Sequence, residues 1–143
     1  MTYINEKMET ENKIIEITKS MYNLAIKSDN EKVIELLLKY DNKAKVFKKT
    51  DSYELLLTAC KFNKSSIIKR LIEYGVNINE MNSEGLNALM IASQVGNLNI
   101  IKILIENKIR INERDDDNRN ALIYAADKGN LEIVQYLIKK NKY

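Results

Sequence analysis

Few side chains in this chain are equipped for chemistry. Cys60 is the only cysteine among 143 residues, and there is no histidine. A thiol attacks through its thiolate, which needs an activating base or a lowered pKa. Without an imidazole, the usual partner of a nucleophilic cysteine is missing, as are the usual general base and the commonest metal ligand. Cys60 follows Ala59 in an apolar stretch, so a small core residue is the expected role. A lone cysteine also excludes an intrachain disulfide, which fits a reducing compartment.

Asp115, Asp116 and Asp117 are consecutive, with Glu113 just before them. A calcium loop needs spaced oxygens, a glycine at its sharp turn and a more distant glutamate. Those are absent, so a solvated hairpin tip is expected, with an acidic contact for a basic partner as the functional alternative. Lys43, Lys45, Lys48 and Lys49 make a small basic run. It lacks the aromatic pattern of a single-strand binder, so a solvated loop is expected there too. No glycine-rich phosphate loop is present. The net charge is only +3 and is spread along the chain, so no nucleic-acid stripe forms. No metal, cofactor or nucleic-acid partner is expected.

The elements behind these residues are helical. The chain has no proline and four glycines, so it should consist mostly of helices and short turns. Hydrophobic residues make up 45% and charged residues 30%, the balance of a folded domain. No apolar run reaches the roughly 18 residues of a membrane span. Met1 to Asn12 is polar and acidic, with no apolar core for a secretory signal. These features point to an intracellular, cytoplasmic protein with no membrane partner.

Internal repetition orders the whole sequence. Asn87-Ala88-Leu89 recurs as Asn120-Ala121-Leu122, and Gly96-Asn97-Leu98 as Gly129-Asn130-Leu131. Ala92 recurs as Ala125, Leu104 as Leu137 and Ile105 as Ile138; each shift is 33 residues. The same shift carries Ala92 back to Ala59, Ile101 to Ile68 and Leu104 to Leu71. A further step of 34 reaches Ala25, Ile34 and Leu37, giving four copies.

Each copy reads as two helices. In the third, Asn87 can cap a helix over Ala88 to Val95 by accepting from free N–H groups of its first turn. Gly96 closes that helix in a left-handed conformation. A second helix follows from Leu98 to about Asn107, with Leu98, Ile101, Leu104 and Ile105 at helical spacing. One pair alone leaves its apolar stripe in water, whereas stacked pairs bury it against their neighbours. Alanine at 25, 59, 92 and 125 lets adjacent first helices approach closely.

These residues resemble the ankyrin repeat, whose usual pattern runs D-x-x-G, T-P-L-H-x-A-A, G-H-x-x-x-V-x-x-L-L and G-A-x-V-N. The third copy matches at Gly85, Leu89, Ala92, Gly96, Leu98, Ile101, Leu104, Ile105, Ile111 and Asn112. The fourth matches at Asp115, Leu122, Ala125, Ala126, Gly129, Leu131, Val134, Leu137 and Ile138. The second ends in a similar way, with Gly75-Val76-Asn77-Ile78-Asn79, and the first diverges most. The family's Thr-Pro becomes Glu54-Leu55, Asn87-Ala88 and Asn120-Ala121, and its histidine becomes Leu57, Met90 and Ile123. Asn87 and Asn120 are expected to take over part of the lost hydrogen bonding.

The resemblance implies an all-α ankyrin-repeat solenoid of stacked helix pairs joined by hairpin-like loops. It makes residues 1–143 a single domain: an N-terminal segment over 1–17, then repeats over 18–48, 49–81, 82–114 and 115–143, the last acting as a cap. Ile14, Ile15, Thr18, Met21, Tyr22, Ala25 and Ile26 lie on one helical face, so the first helix should begin near Asn12.

The resemblance also implies a non-catalytic, monomeric scaffold that binds another protein on a concave face of hairpin tips and first helices. By position that face comprises Thr50, Asp51, Tyr53, Lys61 and Phe62, then Ser83, Glu84, Leu86, Gln94 and Val95. In the last copy it comprises Asp116, Asp117, Arg119, Asp127 and Lys128. Tyr53, Phe62, Leu86 and Val95 are aromatic or apolar where water favours polar groups, and truncating such an anchor typically costs ~2 kcal/mol or more of binding. The alternatives are self-association through the C-terminal stack, and chemistry at Cys60 or the acidic tip.

Overall fold

Asparagine starts most of the helices. In the computed structural model, which describes residues 16–41 and 52–141, eight helices run in chain order with no strand among the described residues. They are α1 Lys19–Lys27, α2 Glu31–Tyr40, α3 Tyr53–Lys61, α4 Ser65–Glu73, α5 Ala88–Val95, α6 Leu98–Glu106, α7 Ala121–Asp127 and α8 Leu131–Asn141. The side-chain oxygen of Asn87 accepts from the Met90 N–H at 2.9 Å, and that of Asn120 from the Ile123 N–H at 3.0 Å. Asn30, Asn97 and Asn130 cap α2, α6 and α8 in the same way, at 3.2, 3.1 and 3.2 Å. Each bond satisfies an N–H that the first helical turn leaves without a partner.

The helix that carries Tyr22 and Ala25 begins at Lys19, where the Thr18 hydroxyl accepts from the Met21 N–H, and residues 16–18 are not helical. Asn12, where its start was expected, lies outside the described residues. Tyr22, Ala25 and Ile26 are buried as the pattern demands, but Met21 is exposed. Ile14 and Ile15 lie outside the described residues.

Two layers result. The inner helices stack in the order α1, α3, α5, α7, and each inner helix also packs on the outer helix that follows it. In the outer layer, α2 packs on α4 and α4 on α6. The alanines at 25, 59, 92 and 125 are all buried between inner helices, where a larger side chain would force the axes apart at a cost of about 1–3 kcal/mol. Ile34, Ile67, Ile100 and Ile133 are fully buried on successive outer helices and carry the core from pair to pair.

Backbone conformation repeats as faithfully as packing. Asp29, Asn63, Gly96 and Gly129 all have positive φ, at 57°, 64°, 91° and 69°, and each reverses the chain between its inner and outer helix. Gly75 and Lys108 share a second such position after the outer helix, and Gly85 and Asn118 a third in the hairpin tips. Glycine escapes the Cβ clash of this region, and asparagine and aspartate tolerate it through local hydrogen bonds. Lys108, at φ 69°, has neither advantage. Gly85 meets a further demand: a Cβ there would lie 3.0 Å from Cα of Asp115, so glycine lets neighbouring tips touch.

Candidate functional site

The hairpin tips are built by one device used twice. Asn82 Oδ1 accepts from the N–H groups of Glu84 and Leu86, both at 2.9 Å. One register later, Asp115 Oδ1 accepts from Asp117 at 3.0 Å and Arg119 at 2.8 Å. A short side chain thereby closes its own turn. The tips are joined where the Asp116 N–H donates to the Glu84 carbonyl at 3.1 Å. The Arg110 N–H likewise donates to Asn79 Oδ1 at 2.8 Å.

Asp115 corrects the expectation of a wholly solvated acidic tip. Its side chain is only 2% exposed, and its Oδ2 accepts from the Tyr124 hydroxyl and from Arg119 Nε. The Tyr124 bond, then the backbone N–H and charge of Arg119, hold the Asp115 carboxyl below its ordinary pKa against the opposing effect of desolvation. Burial and the adjacent carboxylate push the Tyr124 hydroxyl up to about 12. Asp116 and Asp117 stay exposed. Among the described residues, no group of three or more potential ligands is placed to hold a metal ion.

Cys60 offers no chemistry to the outside. It is completely buried among core side chains on α3, and desolvation pushes its thiol up to about 12. A thiolate there would be both scarce and unreachable.

The residues expected to form a binding face fall into three groups. Lys61, Phe62, Gln94, Val95, Asp127 and Lys128 are all exposed on the last turn of an inner helix or just past it. They form two columns across stacked helices, and Lys27 and Ser28 extend both onto α1. Phe62 is 40% and Val95 42% exposed, and Lys27 Nζ of the preceding pair sits 5.5 Å from the Phe62 ring centre. The second group is tied into the fold. Tyr53 is half-buried against the core, and Leu86 is half-buried in its turn. Arg119 is spread over Asp115, Asp117 at 3.1 Å and the Tyr124 ring at 4.9 Å. Ser83, Glu84, Asp116 and Asp117 make up the third, exposed group at the tips. Thr50, Asp51 and the basic run Lys43 to Lys49 lie outside the described residues.

Besides Met21, two further exposed apolar side chains on inner helices lie outside the expected face. Leu24 is 64% and Ile123 41% exposed. Leu24 precedes Lys27 and Ser28 by three and four residues, so helical spacing puts all three on one stripe. That spacing is legible in the sequence, since the 34-residue step to Ala25 also sets Lys27 and Ser28 against Lys61 and Phe62.

No curated protein matches the chain significantly. Among the described residues, no helix is long and apolar enough to cross a membrane. A family model for ankyrin repeats matches residues 55–143 in three copies, a segment that runs from within α3 through α8. Ankyrin repeats are generally protein–protein interaction modules, and the family is typically non-enzymatic. With the stacked helix pairs, the recurring left-handed positions and that match over more than half its length, the chain belongs to the ankyrin-repeat family.

Proposed function

We propose that this protein is a non-catalytic scaffold that holds a partner protein on its inner-helix and hairpin-tip face. One observation carries the reading. At both columns of the inner helices, all four stacked copies keep their side chains exposed, and two adjacent copies place Phe62 and Val95 there. Neighbouring apolar side chains among polar ones on a rigid surface are what an interface core uses. Cys60 is sealed off and Asp115 is engaged in its own turn, which leaves Asp116 and Asp117 exposed as contacts for a partner.

Photo-crosslinking from single positions tests this. A photoreactive side chain at position 62 or 95 should trap a discrete partner in extracts of the source cells, while one at Lys69 or Lys102 on the outer helices should not. Equal trapping from both layers would remove the inner face from consideration.

A second reading has its own observation. Leu131 is 69% and Ile138 44% exposed on α8, whereas Leu98 and Ile105, one register earlier, are half-buried against the core. That stripe would suit docking of a second copy. Light scattering over a concentration series should then show dimers that Leu131→Lys abolishes, and a monomer at every concentration would end this reading.

A further inference from the structure

The inner-helix face has an electrical direction. Its first exposed column reads Lys27, Lys61, Gln94, Asp127 from α1 to α7: two cations, a neutral side chain and an anion. Asp116, exposed on the tip beside α7, adds a second carboxylate at the acidic end. Among the described residues, no ion pair occupies Lys61, Asp116 or Asp127, and Lys27 is engaged only with the Phe62 ring. Two arginines are held locally, Arg70 by Glu31, Glu35 and Glu73, and Arg119 by Asp115 and Asp117. Along this column the charges without an ion pair are therefore sorted from α1 to α7, with Phe62 and Val95 beside its middle and the Glu84 carboxylate exposed on the intervening tip. Two cations stand at the acidic end: Lys128 in the neighbouring column, and Arg119, which Asp115 and Asp117 hold on the tip.

We infer that the partner presents a polypeptide segment with carboxylates at one end, apolar side chains in the middle and basic side chains at the other. The acidic end lies over Lys27 and Lys61, the apolar centre on Phe62 and Val95, and the basic end against Asp116 and Asp127. This deepens the proposed function and rests on it. The length follows from the stack. Three steps between helix axes of about 8–10 Å each span about 27 Å, which an extended chain at about 3.3 Å per residue covers with about nine residues. Sorted charges orient such a segment, because the rotated arrangement sets like charges against each other.

The test uses the full chain and two synthetic nonapeptides of identical composition. One has acidic, apolar and basic blocks in that order; the other interleaves its charges. By fluorescence anisotropy in low salt, the block peptide should bind about tenfold more tightly than the interleaved one, and added salt should erase the difference. The pair Lys27→Glu and Lys61→Glu should cost about tenfold, and adding Asp116→Lys and Asp127→Lys should restore binding, since the block peptide can then lie the other way round. Equal binding of the two peptides, or no recovery in the fourfold variant, overturns the inference. Crosslinking from positions 62 and 95 that persists in the fourfold variant without these charge effects would leave the scaffold reading standing and remove only the charge direction.

Discussion

The hydroxyl of Tyr124 donates a hydrogen bond to Oδ2 of Asp115 and so ties inner helix α7 to the hairpin tip before it. The preceding copy places Asn82 and Ile91 at these positions and has no such bond. The last tip therefore depends on a carboxylate whose charged form is favoured.

Tyr124→Phe removes that donor and should lower stability by about 1 kcal/mol, the net worth of one such bond. The pH dependence has two arms. Asp115 is held below its ordinary pKa, so its contribution is complete above about pH 4 and fades as pH falls through its lower folded value. Tyr124 is pushed up to about 12, so its contribution is complete below about pH 10 and is lost as pH rises through 12. Urea melts across pH should show the alkaline arm flattened in Tyr124→Phe. An unchanged pH profile would mean that this pair is not coupled to folding.

Lys64 occupies the capping position that asparagine fills at 30, 97 and 130, and it makes no side-chain cap bond to α4. Its ammonium instead reaches Asp29 at 3.7 Å, with the Asp29 side chain 67% exposed. An exposed pair of this kind is worth at most about 1 kcal/mol, usually much less. A restored asparagine cap is worth about 1 kcal/mol. Lys64→Asn should therefore raise the thermal midpoint by a few degrees (about 4 °C per kcal/mol at this size). A lower midpoint would show that the Asp29 contact is the stronger of the two.

What the sequence disclosed was set by how locally each feature is encoded. The α5–α6 pair was legible almost to the residue, because Asn87 and Gly96 mark the ends of α5 and the intervening apolar spacing admits one helix. The exposure of Phe62 and Val95 followed from the same register. Asp115 was misread because its partner, Tyr124, is on the next helix, and nothing within the acidic run announces that contact. The contact of Arg119 with the Tyr124 ring was hidden for the same reason. Tyr53 is an aromatic at a helix start, and only the packing of α3 on its neighbours decides how much of the ring is covered. The start of α1 at Lys19 was set by the Thr18 cap, which the longer apolar pattern around it obscured.

Lys108 adopts a left-handed φ of 69° at the position where the preceding copy has Gly75. The clash between Cβ and the backbone costs a lysine about 1–2 kcal/mol there, and glycine gives back about 0.5–1 kcal/mol of chain entropy. Lys108→Gly should be net stabilising by about 0.5–1 kcal/mol. Chemical denaturation with an unchanged m value is the appropriate measure, and a destabilised variant would mean that the lysine stem makes compensating contacts.

Cys60 tests the integrity of the stack from inside. The thiol is completely buried, and desolvation pushes it up to about 12. At pH 8 a disulfide reagent must then wait for the inner helices to open. Labelling of the native protein should be at least about a hundredfold slower than labelling in denaturant, and it should accelerate with urea as local opening becomes common. Substitutions that force α3 and α5 apart, such as Ala92→Leu, should speed it as well. Surface changes such as Lys61→Glu should leave it alone. Fast labelling of the native protein would contradict the packing of α3 against its neighbours, and with it the rigid spacing that lines up Lys61, Phe62 and Val95 on the binding face.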